Sequence, residues 1–223
     1  MVVVAQRDEG VFNYFILFMK FTGPKAKRCR RQGVNLYGAD KYDKILQRKP
    51  NLPGKSPRQR TGRPSPYAQQ LKEKQKMRDI YGMSEKQFKN VYVKAAALKG
   101  QTGDNINQLL ERRLDNVLYR AGFAMTRMQA RQFVSHGLFM VDEVRVTSPS
   151  YLVKAGEKVS VRPRSKNSPI FSSILAAHEK YLPPSWLKVN ASNIEVEIVS
   201  LPEIDASEQV VDVRQVIEFY SRN

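Results

Sequence analysis

The sequence predicts an α+β protein, with helices first, a small mixed helix-and-strand unit next, and a return segment after it. Three observations carry this. Apolar residues recur at helical spacing between Ser65 and Gly137, period-two alternation replaces it from Leu138 to Arg162, and helical spacing returns at Val213. At 223 residues and 41% hydrophobic composition, the chain can bury a substantial core.

The elements follow in order. Lys25 to Arg31 is densely basic with little apolar periodicity, and reads as an arm that orders on a phosphate backbone. Pro50 to Pro66 holds five prolines, Gly54, Gly62 and four basic side chains, which describes an extended basic loop. A proline-rich ligand for an aromatic groove is the rival there, and the interleaved arginines favour RNA. The segment Lys20 to Pro66 is therefore expected to be largely unstructured without RNA. Ser65 is a natural N-cap with Pro66 at the first helical position, and Gly82 stops that helix. Lys72, Lys74 and Lys76 give it a strongly basic face. Ser84 and Gln87 have capping-box spacing ahead of Phe88, Val91, Tyr92 and Ala95.

After a break at Gly100 to Gly103, Ile106, Leu110, Leu114, Val117, Leu118 and Ala121 form one apolar stripe ending at Gly122. Thr126 caps a short helix with Gln129 three residues on, and Gly137 ends it. Leu138 to Val141 and Val144 to Thr147 read as paired strands. Lys158 to Arg162 is a half-buried strand with Val159 and Val161 inside and a basic outer face. Ser168-Pro169 opens another helix, through Ile174 to Tyr181. Ile194, Val196 and Ile198 alternate as a strand, and Val213, Val216, Ile217 and Tyr220 mark a last helix.

Charge is partitioned along the chain. Lys20 to Gly100 holds 22 Lys and Arg against five acidic residues, which equals the whole formal excess of +17. Asn190 to Asn223 holds seven acidic residues against two arginines. A solubilising coat would not divide this way, so the basic half points to nucleic acid. No run reaches the roughly 18 apolar residues of a spanning helix. Val11 to Met19 is apolar, but Asp8 and Glu9 precede it, the reverse of a secretory signal. A single cysteine, Cys29, and two separated histidines leave no disulfide and no metal cluster, which suits a reducing, cytosolic compartment or its organellar equivalent.

No catalytic arrangement emerges. A basic arm is expected to lower the pKa of Cys29, yet a catalytic thiol needs an orienting base that the sequence does not supply. Asp115 beside arginines reads as an ion pair, His178 as exposed, and His136 as an RNA contact or cap. Arg112, Arg113, Arg127 and Arg131, the last two four apart on one helix face, make a platform for folded RNA, because a planar guanidinium can hold two phosphate oxygens.

Leu109 to Phe123 (LLERRLDNVLYRAGF) followed by Thr126 to Gly137 (TRMQARQFVSHG) resembles the ribosomal protein S4 family of the small subunit. The likeness continues through Pro149 to Tyr151, Val153-Lys154, Gly156, Pro184 to Leu187 and Glu218 to Arg222. Upstream it takes in Arg31 to Val34, Leu71 to Lys76, Ile80 to Gly82 and Glu85 to Phe88, so it spans Phe21 to Arg222. It implies a helical domain over 20–110, interrupted by a compact RNA-binding module of two helices and a small antiparallel sheet over 111–170. Residues 171–223 would return to the helical domain.

The expected partners are small-subunit ribosomal RNA, neighbouring ribosomal proteins and messenger RNA where it enters the subunit, with roles in nucleating assembly and in decoding accuracy. Neither a cofactor nor a membrane is expected. The implied RNA-binding residues are Lys25, Lys27, Arg28, Arg30 and Arg31 in the arm, with Lys72, Lys74 and Lys76 in the helical domain. In the module they are Arg112, Arg113, Thr126, Arg127, Arg131, Gln132, Ser135 and His136. Some relatives hold zinc through several N-terminal cysteines, which Cys29 alone cannot do. The family often has Asn-Gly where this chain has Asp142-Glu143, so a tight hairpin there is an open question.

Residues 1–18 match nothing in the family, and 1–19 are set apart from the domains that follow. They read as an extension or a mis-assigned start, with translation from Met19 or poor order over 1–18, against a lineage-specific extension that docks on a neighbouring ribosomal protein. Two other functions carry the same module: an RNA-modifying enzyme, which needs a separate catalytic domain, and a small factor that recognises stalled subunits.

Overall fold

The computed structural model describes residues 21, 23–54, 62–166, 168–171, 181–202 and 210–222. The expectations for residues 1–18, Lys55 to Arg60, His178 and most of the helix begun at Ser168 lie outside these.

Over residues 23–54 the basic arm is folded, which corrects the expectation of an unstructured segment there. Helix α1 spans Lys25–Gln32 and α2 spans Asp40–Arg48. Cys29, Leu36 and Tyr42 are buried between them, with Ile80 packed alongside. Arg28 bonds Asp79 at 2.7 Å, and Arg30 caps the end of α2 through the carbonyls of Lys49 and Asn51. A few apolar residues closed over a neighbouring helix are enough to order a segment that composition alone reads as a coil.

Helix α3 (Pro66–Ile80) begins at Ser65, whose hydroxyl accepts from the Ala68 amide at 3.3 Å. Helix α4 (Glu85–Ala97) begins with the reciprocal Ser84–Gln87 capping box. The apolar stripe expected as one helix is two, α5 (Thr102–Glu111) and α6 (Leu114–Arg120). The break is a non-local pairing: Arg113 is extended and bridges Leu152, with Val153 N–H donating to Arg112 O at 2.9 Å and Leu114 N–H to Tyr151 O at 2.8 Å. Helix α7 (Arg127–Ser135) follows the Thr126 cap.

The sheet has five antiparallel strands in the order β2-β1-β3-β5-β4: β1 Phe139–Val141, β2 Val144–Arg145, β3 Lys158–Val161, β4 Leu187–Asn190 and β5 Glu195–Ile198. A four-residue helix, α8 (Pro163–Lys166), follows β3. The sheet runs past the expected module boundary at 170, because β5 pairs with β3 through Val196↔Val159. Among the described residues, Val210, Val211 and helix α9 (Val213–Ser221) return to the helical domain, with α9 packed along α3. Phe139, Val159, Val161, Val196 and Ile198 bury one sheet face against Leu114, Leu118, Phe133 and Val134 of α6 and α7. The opposite face is not uniformly basic: Lys158 and Lys188 both lie across from Glu197.

Asp142 and Glu143 form the two-residue turn at φ 44° and 66°, so the hairpin survives without Asn-Gly. Asp142 is fixed to β3 in both directions, through its amide to Lys158 O and from the Lys158 amide to its carboxylate, each 2.9 Å. Glu143 has no such anchor among the described residues, and its left-handed backbone costs about 1 kcal/mol. Glu143→Gly is expected to raise stability by roughly 0.5–1 kcal/mol. A urea midpoint that rises at constant slope would show it, and a lowered midpoint would refute it.

Candidate nucleic-acid interface

A groove of about 790 Å³ separates two walls. One is built from α1 and the α3–α4 connection. The other is the outer face of α7 with Pro149 and Ser150. Helical spacing on α7 puts Arg127, Met128, Arg131, Gln132 and Ser135 on that face, and His136 caps its end exposed. From the first wall come Lys25 and Arg28, with Arg28 held by Asp79 and stacked over the Phe21 ring at 3.3 Å from its centroid. Seven of the residues proposed from sequence thus meet in one place: Lys25, Arg28, Arg127, Arg131, Gln132, Ser135 and His136.

The others divide. Lys27, Arg31 and Lys72 are exposed but outside the groove lining. Thr126 is the cap of α7. Lys74 and Lys76 are buried, correcting the reading of one exposed basic face. Lys74 bonds Glu85 at 2.6 Å, and Lys76 bonds Glu73 at 2.7 Å and the Val210 carbonyl. Arg112 and Arg113 are likewise not a solvent-exposed pair. Arg112 bonds the Val153 carbonyl, and Arg113 is buried against Asp115 through bonds of 3.1 and 2.7 Å. The ion pair expected of Asp115 is present. Arg30 serves as a cap for α2.

Arg127 and Arg131 line the groove while also bonding within the protein. The Arg127 Nε–H donates to Asn116 at 2.7 Å, and its guanidinium lies over Tyr119 and Tyr81 at 4.4 and 5.1 Å. Arg131 donates to the Gly82 carbonyl at 3.2 Å, and burial pulls its pKa down against the raising influence of Asp115. Behind them Glu111, 1% exposed, accepts from Tyr81, Asn116 and Arg120. Burial raises its pKa, and the Arg120 and Arg127 charges with the bonds from Arg120 and Tyr81 bring it below the usual range.

Burial pushes Tyr37, on the groove wall, up to about 12 against the lowering influence of the Arg28 guanidinium. The Cys29 thiol is raised too, by burial first, the reverse of what a basic arm predicts. Among the described residues no helix is long and apolar enough to cross a membrane, and no three His, Cys, Asp or Glu side chains group as metal ligands.

The sequence model of the Ribosomal protein S4/S9 N-terminal domain matches residues 20–111, and that of the S4 domain matches residues 112–159. The chain belongs to the ribosomal protein S4 family. It is 41% identical to the small ribosomal subunit protein uS4 of Treponema denticola, over 92% of this chain and 100% of that one. It is 43% identical to the uS4 of Latilactobacillus sakei and 42% to that of Chlorobium limicola, each over 91% of this chain and 99% of the relative. The boundary between the two S4-family domains, 111/112, is where α5 ends and the Arg112–Arg113 break begins.

Sequence reasoning missed Tyr37, Arg78, Ser84, Gln87 and Ser150 in this groove. Ser84 and Gln87 were legible as a capping box. Their position opposite α7 depends on how two domains dock, which no local pattern encodes.

Proposed function

We propose that this protein is a structural, non-catalytic component of the small ribosomal subunit that binds its RNA in the groove between α1, the α3–α4 connection and α7. The observation that carries the reading is the convergence of Lys25, Arg28, Arg127, Arg131 and His136 from two domains onto one concave surface. Folded RNA is recognised by such shape-matched clusters of phosphate contacts. The exposed Lys27, Arg31 and Lys72 extend the positive field beyond the groove. Family membership supports early binding during assembly, contact with messenger RNA where it enters the subunit, and an influence on decoding accuracy, on a cytoplasmic ribosome like those of the bacterial relatives. The acidic segment Asn190 to Asn223 suits contact with neighbouring basic ribosomal proteins.

Filter binding to a small-subunit ribosomal RNA transcript across a salt series tests the assignment. Arg127→Ala with Arg131→Ala should lower the slope of log affinity against log salt by about 1.5–2 units. Both side chains also bond within the protein, so some stability is lost and binding is measured well below the melting transition. Lys188→Ala, on the mixed-charge sheet face, should leave the slope unchanged. An unchanged slope in the double variant would refute the groove as the binding surface.

A further inference from the structure

We infer that Glu111 is a positioning residue for RNA, acting through Asn116 to hold Arg127 on the groove wall; this rests on the reading of the groove given above. Glu111 is 1% exposed, and its carboxylate gathers three donors from the end of one helix and the body of another. The Tyr81 hydroxyl donates at 2.7 Å from the end of α3. Asn116 Nδ2 donates to the carboxylate at 2.7 Å and to the Glu111 backbone carbonyl at 3.2 Å, and Arg120 Nε donates to the carboxylate at 2.9 Å, both from α6. Asn116 is thereby oriented with its amide nitrogen toward Glu111 and its oxygen toward α7, where it accepts from Arg127 Nε at 2.7 Å. A side-chain amide has one donor end and one acceptor end, so the shorter bond to the Glu111 carboxylate, with the longer one to the Glu111 carbonyl, sets which way Asn116 faces.

The consequence falls on Arg127. Its Nε–H is used by Asn116 and its plane is set between the Tyr81 and Tyr119 rings. Its terminal nitrogens carry no protein hydrogen bond among the described residues, and the side chain lines the groove. Tyr81, the other wall's contribution to this stack, is bonded to the same carboxylate. One buried anion therefore fixes the orientation of a phosphate-binding guanidinium and ties it to the opposite domain. Glu111 itself touches no RNA. A buried charge satisfied by this many donors is costly to disturb, which suits a fixed rather than an adaptable site.

The test is a double-mutant cycle on the full-length protein, with a small-subunit ribosomal RNA transcript as the probe and the folded fraction of each variant set by urea titration. Glu111→Gln keeps the shape but presents a donor to Asn116 or Arg120. It is expected to weaken binding about tenfold, as for loss of one charged hydrogen bond, and to lower the salt slope by about 0.7–0.9. Arg127→Ala added to Glu111→Gln should change neither value further, whereas Arg131→Ala added to it should lower both again.

Should Glu111→Gln prove too unstable, Asn116→Ala breaks the same relay while leaving Tyr81 and Arg120 on Glu111, with the same expected slope. A Glu111 that only stabilised the fold would reduce the folded fraction and leave the slope at the wild-type value. That result, or additive effects of Glu111 and Arg127, overturns the inference and leaves the groove assignment standing. Absence of specific binding by the wild-type protein overturns both.

Discussion

Removal of residues 211–223 is expected to unfold the helical domain while the module keeps its fold. Val211, Val213, Val216 and Phe219 are buried, and the first three belong to the core that contains Met77, Phe88, Ile106 and Leu110. At about 1.5–3 kcal/mol for each fully buried side chain, the four contribute roughly 6–12 kcal/mol. That is comparable to the whole stability of an ordinary domain, about 5–15 kcal/mol.

Polar partners are lost with them. Gln70 donates to Glu218 at 2.9 Å, Tyr220 to Glu85 at 3.1 Å, and the Lys74 ammonium sits 4.8 Å from the Phe219 ring centroid. None of the described residues 211–222 contributes to the sheet-side core. Amide exchange on the truncated protein should therefore show lost protection in α3, α4 and α5 and retained protection in α6, α7 and β1. Retained protection in α3 would show that the return helix is dispensable.

The caps were the most legible part of the fold. Ser65, Ser84, Thr126, Gly82 and Gly137 act within a few residues of themselves, so their chemistry is written locally. The period-two pattern at Val159 and Val161 likewise located β3. Ile194 shows the limit of that pattern: it extends the alternation of Val196 and Ile198, yet it sits in the turn before β5 at φ 56° with its side chain buried.

The site was legible in part. Arg127 and Arg131 fall on one helix face by spacing alone, and the structure puts that face on the groove. Lys72, Lys74 and Lys76 cannot share a face, because a step of two residues turns a helix by about 200°. Which of them is exposed was settled by distant partners, Glu85 for Lys74 and the Val210 carbonyl for Lys76. The split of the α5–α6 stripe has the same origin: the apolar period runs unbroken through Arg112 and Arg113, and the backbone pairing that interrupts it comes from residues 151–153. Arginines that looked like RNA contacts were partly consumed in assembling the surface on which the remaining ones act.

Asp115→Ala is expected to destabilise the protein by about 3–5 kcal/mol, the cost of stranding a buried charge. Arg113 and Asp115 have side chains only 4% and 6% exposed and are joined by two bonds, Nε to Oδ1 at 3.1 Å and Nη2 to Oδ2 at 2.7 Å. Arg131 stands 3.7 Å from the same carboxylate, so its removal also leaves the groove-lining arginine facing Arg113 uncompensated. Arg113 cannot swing to solvent cheaply, because its extended backbone is pinned by the bridge to Leu152 and by the bonds of its neighbours to Tyr151 and Val153.

Arg113→Met combined with Asp115→Leu removes both charges and should recover most of the loss, since apolar replacement of a buried pair is often neutral. Urea unfolding of the single and double variants distinguishes the cases. A loss below about 1 kcal/mol for Asp115→Ala would place the pair among exposed ion pairs. RNA binding by the rescued double variant should still fall short of wild type, because Asp115 no longer faces Arg131 from behind the groove.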